Sequence, residues 1–122
     1  MTSRSDEPPG LNRPPSEVKA ELFKALGHPA RVRALEVLTD GERTVRELRP
    51  LVGIESSHLS QQLGVLRRAG LVTARKEGTS VVYALKDPLV AELLGVAKRL
   101  LMAVLAETRG LLAELTARAP SR

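Results

Sequence analysis

The stretch that most constrains the fold runs from Thr44 to Leu85 and is predicted to form two short helices followed by a β-hairpin. Thr44 with Glu47 three residues later has capping-box spacing, which predicts that a helix begins there. Gly53 is placed to end this helix, because a glycine commonly follows the last helical residue. A second helix is predicted within a few residues, and Gly70 is placed to end it.

Both helices carry apolar side chains at helical spacing on one face. These are Val45, Leu48, Leu51 and Val52 in the first helix, and Leu59, Leu63 and Leu66 in the second. The other face of the second helix carries short hydrogen-bonding side chains and a basic end: Ser57, His58, Ser60, Gln61, Gln62, Arg67 and Arg68. Such a face suits the DNA major groove, because Ser, Gln and His can form hydrogen bonds with base edges.

Two positions depart from ideal helix chemistry. Pro50 removes a backbone hydrogen bond inside the first helix, which is therefore expected to be short, kinked or partly 3₁₀ around residues 46–50. Glu55 is a poor N-cap, so Ser56 or Ser57 is expected to cap the second helix instead. A serine used in this way would be lost as a base reader.

Alternating side chains predict the hairpin. Val72 and Ala74 alternate with Thr73 and Arg75, and Val81, Tyr83 and Leu85 alternate with Val82 and Ala84. Glu77 and Gly78 are expected to form the turn. The side chains expected near the tip, within reach of a phosphate backbone, are Arg75, Lys76, Thr79 and Ser80.

Two more helices are predicted upstream, one capped by Ser16 and ended by Gly27, and one begun by Pro29. The apolar positions of the first are Val18, Leu22, Ala25 and Leu26, and those of the second are Ala30, Ala34, Leu35, Val37 and Leu38. His28 lies between them and is interpreted as a capping or turn residue, with a ligand role as the alternative. Residues 39–42 are predicted to form a turn.

Residues 44–85, with the upstream ELFKALGHPARVRALEVL, resemble the ArsR/SmtB family of small bacterial repressors. The resemblance covers roughly Glu21 to Leu115. It implies a mainly α winged helix-turn-helix with a small β-hairpin (α+β), in the order α-α-α-α-β-β-α. It also implies a sequence-specific transcriptional regulator, expected to be a repressor, that binds double-stranded DNA at a palindromic operator as a homodimer. The first helix contributes to the dimer interface in this family.

A long last helix is predicted from Pro88 to Leu115, and Gly110 is expected to end or bend it. Its first half is apolar on two adjacent rows and its second half on one, which indicates contact with its own domain and with a second chain. The residues assigned to the dimer interface are Leu22, Leu94, Ala97, Leu101, Val104 and Leu111.

The two metal sites that are common in this family have no complete set of ligands in this chain. The Cys-x-Cys site falls on Thr44 and Arg46, and the site on the last helix falls on Asp87, Leu89, Leu100 and Ala103. Only Asp87 could ligate a metal, and one carboxylate makes no site. The chain also lacks cysteine, which excludes disulfides and thiol-based sensing. No metal or other cofactor is therefore predicted.

The positive charge is concentrated on the predicted DNA-binding unit. Residues 43–86 hold eight Lys or Arg against three acidic residues, whereas the rest of the chain holds eleven of each. This is the distribution expected of a phosphate-binding surface. The low aromatic content, one Tyr and one Phe, argues against recognition of single strands by stacking.

At 122 residues the chain is expected to form one domain over residues 16–117, with a disordered arm at 1–15 and a frayed tail at 118–122. The arm is interpreted as an inert tail, with DNA contact through Arg4 and Arg13 as the alternative. No apolar run is long enough for a membrane span or a signal peptide, so a cytoplasmic location is expected.

No nucleophile–base pair, carboxylate pair or phosphate-binding loop indicates an enzyme. Two alternatives to this function remain. One is a regulator controlled by a metal or partner protein through a site outside the family pattern, and the other is a winged helix used for protein contact.

Overall fold

The structure, a computed structural model, describes residues 12–118, so residues 1–11 of the predicted arm and 119–122 of the predicted tail lie outside it. The elements, in chain order, are α1 (Pro15–Leu26), α2 (Pro29–Thr39), β1 (Arg43–Thr44), α3 (Val45–Val52), α4 (Ser56–Arg68), β2 (Val72–Glu77), β3 (Ser80–Leu85) and α5 (Pro88–Arg118). The predicted order is confirmed. The two-residue strand β1 was not predicted, and it extends the hairpin to an antiparallel sheet of order β1-β3-β2.

The first two helices begin with proline. Pro14 is the N-cap of α1 and makes no side-chain cap bond, so the expectation that Ser16 caps this helix is wrong. Pro15 occupies the first helical position, where its fixed φ is already helical and its missing N–H is not needed. α2 begins at Pro29 as predicted, and the Nδ1 atom of His28 accepts a hydrogen bond from the Ala30 N–H at 3.1 Å. The capping interpretation of His28 is confirmed.

The predicted capping box begins α3. The Thr44 hydroxyl accepts a hydrogen bond from the Glu47 N–H at 3.2 Å, and the Glu47 carboxylate accepts one from the Thr44 N–H at 2.9 Å. Gly53 ends the helix with φ +83°. With only eight residues α3 is short, but it is α-helical throughout, so the 3₁₀ alternative is wrong. Pro50 lies near its end and removes only one backbone bond.

α4 begins at Ser56 with Glu55 as N-cap, so the expectation that Ser56 or Ser57 caps it is wrong. The extended backbone of Glu55 lets its carbonyl accept the first bond, from the Leu59 N–H at 2.8 Å, without a side-chain cap. At the other end Gly70 has φ +79°. The Gly70 and Leu71 N–H groups donate to the carbonyls of Arg67 and Leu66, which is the Schellman pattern.

The hairpin turn lies one residue later than predicted. Glu77 pairs with Ser80, which leaves Gly78 and Thr79 as the two central residues, so the assignment of the turn to Glu77 and Gly78 is wrong. Gly78 has φ +63°, as the first central position of a type II′ turn requires. Tyr83 lies in the middle of the sheet, opposite Ala74 of β2 and Arg43 of β1.

The core is aliphatic, and it lies between α2, α3, α4, the sheet and the start of α5. Its buried residues are Ala25, Ala34, Leu35, Val37, Leu38, Leu48, Leu59, Leu63, Leu66, Leu71, Val72 and Val90. All five apolar positions predicted for α2 are buried. Leu51 is an exception to the predicted α3 stripe, since it is exposed.

α5 begins at Pro88, after Asp87, whose carboxylate accepts a hydrogen bond from the Leu89 N–H at 2.8 Å. The helix continues through Gly110 to Arg118, so the expectation that Gly110 ends it is wrong. One exposed glycine costs a helix only about 1 kcal/mol. The 31 residues span about 46 Å at 1.5 Å per residue. Among the described residues, no helix combines the length and apolar character that crossing a membrane requires.

Candidate nucleic-acid interface

The two faces of α4 have opposite character. Leu59, Leu63 and Leu66 have no exposed surface and hold the helix against the core. Residues 57, 61, 64 and 68 follow one another at steps of four, three and four, so they form a row along the opposite face. The exposed polar residues of α4 are Ser56, Ser57, His58, Ser60, Gln61, Arg67 and Arg68. The predicted outward face is therefore present, with one exception.

The exception is Gln62, which is only 9 % exposed, so its assignment to the outward face is wrong. Residue 62 follows Leu59 by three positions and precedes Leu66 by four, which places it on the inner face. Its side-chain oxygen accepts a hydrogen bond from the Arg31 guanidinium at 3.0 Å. The spacing could have revealed this placement, but the polar side chain suggested the outer face.

Arg31 links three helices. It belongs to α2, bonds Gln62 of α4, and donates a second hydrogen bond to the Lys24 carbonyl of α1 at 3.3 Å. Its Nε atom is buried and has no hydrogen-bond partner within residues 12–118. Arg31 thus fixes α4 from behind rather than contributing to the exposed surface.

The start of α4 lies beside the joint between α1 and α2. The His58 ring meets the His28 ring edge to face, with centroids 6.2 Å apart. An open cleft of about 1000 Å³ adjoins this position and is lined by Arg46, Arg49, Pro50, Gly53, Ile54, Glu55, Ser56 and His58. Arg46 and Arg49 are exposed basic residues of α3 that the sequence analysis did not assign to DNA binding. Their spacing of three residues on the polar side of α3 was the available signal.

A second cleft, of about 420 Å³, separates α4 from the hairpin tip and is lined by Thr44, Val45, Arg46, Ser60, Thr79, Ser80 and Val81. It brings together three residues that the sequence assigned to DNA binding: Ser60, Thr79 and Ser80. Hydroxyl groups and the Arg46 guanidinium are donors that can bind phosphate oxygens. The helix and the hairpin therefore form two sides of one polar surface.

Arg75, assigned from sequence to phosphate contact, is paired with two acidic residues. Its guanidinium contacts both carboxylate oxygens of Glu42 at 2.7 Å, and one oxygen of Glu77 at 2.8 Å. These bonds raise the pKa of Arg75, and the hydrogen bonds from Arg75 lower the pKa of the Glu42 carboxyl. Lys76, Thr79 and Ser80 are exposed. Sequence inspection missed Glu42, because it lies 33 residues from Arg75.

Arg13, the arm residue with a suggested DNA contact, lies against α1. Its guanidinium is 2.7 Å from the Glu21 carboxylate and 3.6 Å from that of Glu17. These carboxylates raise the pKa of Arg13, and the hydrogen bond from Arg13 lowers that of Glu21. Arg4 lies outside the described residues.

Two of the positions that correspond to the family's metal ligands have structural roles here. Thr44 and Asp87 cap α3 and α5 with their side chains. Within residues 12–118, no three or more His, Cys, Asp or Glu side chains are grouped so that they could hold a metal ion.

The residues assigned to a dimer interface lie along α1 and α5. Leu22 and Leu94 are half-buried against the core, whereas Ala97, Leu101, Val104 and Leu111 are exposed. Every described side chain from residue 96 to 117 is exposed, and the large apolar ones are Val96, Leu100, Leu101, Met102, Val104, Leu105, Leu111, Leu112 and Leu115. On α1, Phe23 is 59 % exposed.

Comparison with known proteins identifies the family. Residues 28–74 match the model for bacterial regulatory proteins of the arsR family. The uncharacterized HTH-type transcriptional regulator Rv0081 of Mycobacterium tuberculosis is 50 % identical over 107 residues, which cover 87 % of this chain and 94 % of that protein. A biofilm growth-associated repressor of Agrobacterium fabrum is 42 % identical over 86 residues, covering 70 % and 73 %.

Solved structures agree with this relationship. The crystal structure of Rv0081 has a TM-score of 0.74 at 52 % identity and covers 79 % of this chain and 97 % of that one. The homodimeric winged helix-turn-helix DNA-binding domain of Mb0332 from Mycobacterium bovis has a TM-score of 0.69 at 30 % identity, covering 75 % and 85 %. The chain described here therefore belongs to the ArsR family of bacterial regulatory proteins and is a winged-helix DNA-binding transcriptional regulator.

Proposed function

We propose that this protein acts in the cytoplasm as a homodimeric repressor and that each subunit inserts α4 into a major groove of a roughly palindromic operator. The observation that carries the proposal is the exposed polar row of α4, backed by leucines that are completely buried. A helix held so firmly by its inner face can present its outer face in a fixed orientation. The relationship to a biofilm growth-associated repressor supports repression as the mode of action.

The polar surface divides into two kinds of contact. Ser56, Ser57, His58, Ser60 and Gln61 lie in the first half of α4, where a recognition helix meets base edges. The residues assigned to the phosphate backbone are Arg67, Arg68, Arg75, Lys76, Thr79 and Ser80, with Arg46 and Arg49 added from the clefts beside α3. Base contacts give sequence preference, whereas phosphate contacts give affinity and register.

The exposed apolar surface of α5 supports the proposed dimer. Monomeric proteins rarely expose a continuous apolar patch of more than a few hundred Å². All large apolar side chains of residues 96–117 in α5 are exposed, and Phe23 of α1 is exposed as well. A second copy of this surface is its best complement, and the related Mb0332 domain is described as homodimeric. Two α4 helices held about 34–36 Å apart would fit successive major grooves.

One experiment tests assembly and DNA binding together. Leu101→Glu would place two carboxylates in the dimer seam, since the two-fold axis repeats the residue, so light scattering should report a monomer. The monomer should bind a footprinted genomic operator far more weakly, because it offers one α4 instead of two. Ala106→Glu is the matched control: it adds the same charge on a part of the same helix surface that carries no leucine, and it should leave a dimer. A dimer of normal affinity for Leu101→Glu would contradict the proposed interface.

A further inference from the structure

The hairpin tip is less basic than its sequence suggests. Arg75 and Lys76 are its two cations, but Glu77 follows them and the Glu42 side chain reaches Arg75 from the loop before β1. One cation and two carboxylates therefore meet on one face of the wing, which is formed by β2, β3 and their turn, whereas Lys76 lies on the opposite face of β2. The guanidinium nitrogens Nη1 and Nη2 of Arg75, which a phosphate would use, are both bonded to carboxylates.

We propose that Glu42 is a specificity-determining residue, because its carboxylate competes with DNA phosphates for the Arg75 guanidinium. In the free protein Glu42 occupies this guanidinium. When α4 is seated on its operator, the wing is held against the backbone and a phosphate replaces Glu42. The inference rests on the proposed contact between the wing and the DNA backbone.

Carboxylate and phosphate are direct competitors for this arginine. Both accept two parallel hydrogen bonds from the planar guanidinium, so one bidentate partner excludes the other at the same pair of nitrogens. The Arg75 and Glu42 side chains are each about half exposed, at 51 %. Solvent screens such a pair, and its contribution to stability is small. A phosphate held in the correct position can therefore displace Glu42 at little expense to the fold.

The competition acts most strongly on random DNA. Binding to random sequence comes almost entirely from phosphate contacts, whereas binding to the operator also includes base contacts by α4. On random DNA no base contact holds the wing in place. The Glu42 carboxylate therefore stays bonded to Arg75, and one phosphate contact is lost. On the operator the base contacts position the wing. Glu42 thereby increases the ratio of operator affinity to random-sequence affinity.

The test compares Glu42→Gln with Glu36→Gln. Glu36 also lies in an exposed ion pair, 3.6 Å from Arg33 on α2, so its replacement removes the same charge at a similar exposure. Fluorescence anisotropy with a labelled random duplex would be measured over a series of salt concentrations. Glu42→Gln should bind this duplex more tightly than wild type and Glu36→Gln, and its log–log salt dependence should steepen by about 0.9, the value for one phosphate. The preference for the operator should fall.

Two further variants separate this inference from the proposed function. Glu42→Gln combined with Arg75→Ala should show the salt slope of Arg75→Ala alone, because no guanidinium remains to be released. Lys76→Ala should flatten the slope whether or not Glu42 competes, so it tests the wing contact itself. If Lys76→Ala flattens the slope but Glu42→Gln matches Glu36→Gln, the competition is refuted while the wing contact stands. If neither variant changes the slope, both are refuted.

Discussion

Helix α4 and the distal part of α5, residues 96–117, are both exposed helical surfaces, but they differ in what they expose. α4 buries every leucine it has against its own domain and leaves polar side chains in solvent. The distal part of α5 buries none of its leucines. The contrast arises because α4 has neighbours on its inner side in the same subunit, whereas α5 extends past the last element that could cover it.

This difference predicts the partner of each surface. Polar side chains in water are already hydrated, so α4 needs no partner to be stable and is available for a ligand that offers hydrogen bonds. Exposed leucines gain free energy when they are removed from water, about 25 cal/mol per Å². The distal part of α5 is therefore expected to be completed by protein, and α4 by DNA.

The largest expected effect is a loss of stability, and it distinguishes a leucine of α4 from a leucine of α5. Leu63→Ala should lower the free energy of unfolding by about 2–5 kcal/mol, because it removes a side chain from a closed core. Leu101→Ala should act only through the dimer. Urea unfolding at several protein concentrations distinguishes the two, since the loss for Leu63→Ala should be constant and that for Leu101→Ala should shrink on dilution. A constant loss for Leu101→Ala would mean that Leu101 packs within its own subunit.

Two adjacent glutamines of α4 lie on different faces of the helix, Gln62 on the inner face and Gln61 on the outer face. Gln62→Ala should reduce stability by about 1–3 kcal/mol, because the partly buried Arg31 loses its acceptor. Gln61→Ala should leave stability nearly unchanged, but weaken operator binding by about 1–3 kcal/mol if Gln61 reads a base. Urea unfolding and anisotropy on both variants provide the measurements. Equal weakening of Gln61→Ala on operator and random duplexes would show that Gln61 reads no base.

A smaller effect is expected when one glycine in each helix is replaced by alanine. Gly64→Ala and Gly110→Ala should each stabilise the protein by about 0.5–1 kcal/mol, because alanine is the better residue inside a helix. The new Cβ at position 64 would lie 3.2 Å from the movable Arg68 Nη1, and nothing described lies within 4 Å of the one at 110. Only Gly64→Ala should reduce DNA affinity, since it adds a methyl group to the outward row. If both variants bound DNA with equal affinity, the outward row of α4 would not contact DNA.

The smallest effect concerns how the helices of the DNA-binding unit begin. α3 has a capping box whereas α4 has no side-chain cap, and the hydrogen bond from the Thr44 N–H lowers the pKa of Glu47. A carboxyl with a lowered pKa in the folded state stabilises the protein above its unfolded pKa, and this contribution is lost as the pH falls through the folded value. The wild-type protein should thus have a higher melting temperature than Glu47→Ala at neutral pH, and this difference in melting temperature should vanish in acid. A difference that persists below the folded pKa would contradict this origin.

Features that depend on a few neighbouring residues were predictable from the sequence. The Thr44–Glu47 box, the Gly70 helix end, the His28 cap and the three buried leucines of α4 are set by spacing within one element. The resemblance to a family then supplied the order in which these elements assemble. Together they predicted the fold except for the two-residue strand β1, which exists only because β3 lies beside it.

Features that depend on distant residues were not predictable. The spacing of Gln62 indicated the inner face, but the partner that satisfies its polar side chain there, Arg31, is on another helix and could not be foreseen. The charge count from residue 43 made the wing look strongly basic, but Glu42, one position outside that count, pairs with Arg75. Residue type and position along the chain indicate which charges are present, whereas only the fold decides which of them meet.

The placement of Tyr83 also has a spectroscopic consequence. It is the only tyrosine in a chain without tryptophan, so nearly all the intrinsic ultraviolet emission of the protein originates from one ring. That ring belongs to the central strand of the sheet, with Arg43 opposite on one side and Ala74 opposite on the other, at the base of the wing. Unlabelled protein thus carries an optical reporter there, and a movement of the wing on DNA can be followed by tyrosine quenching without any attached dye.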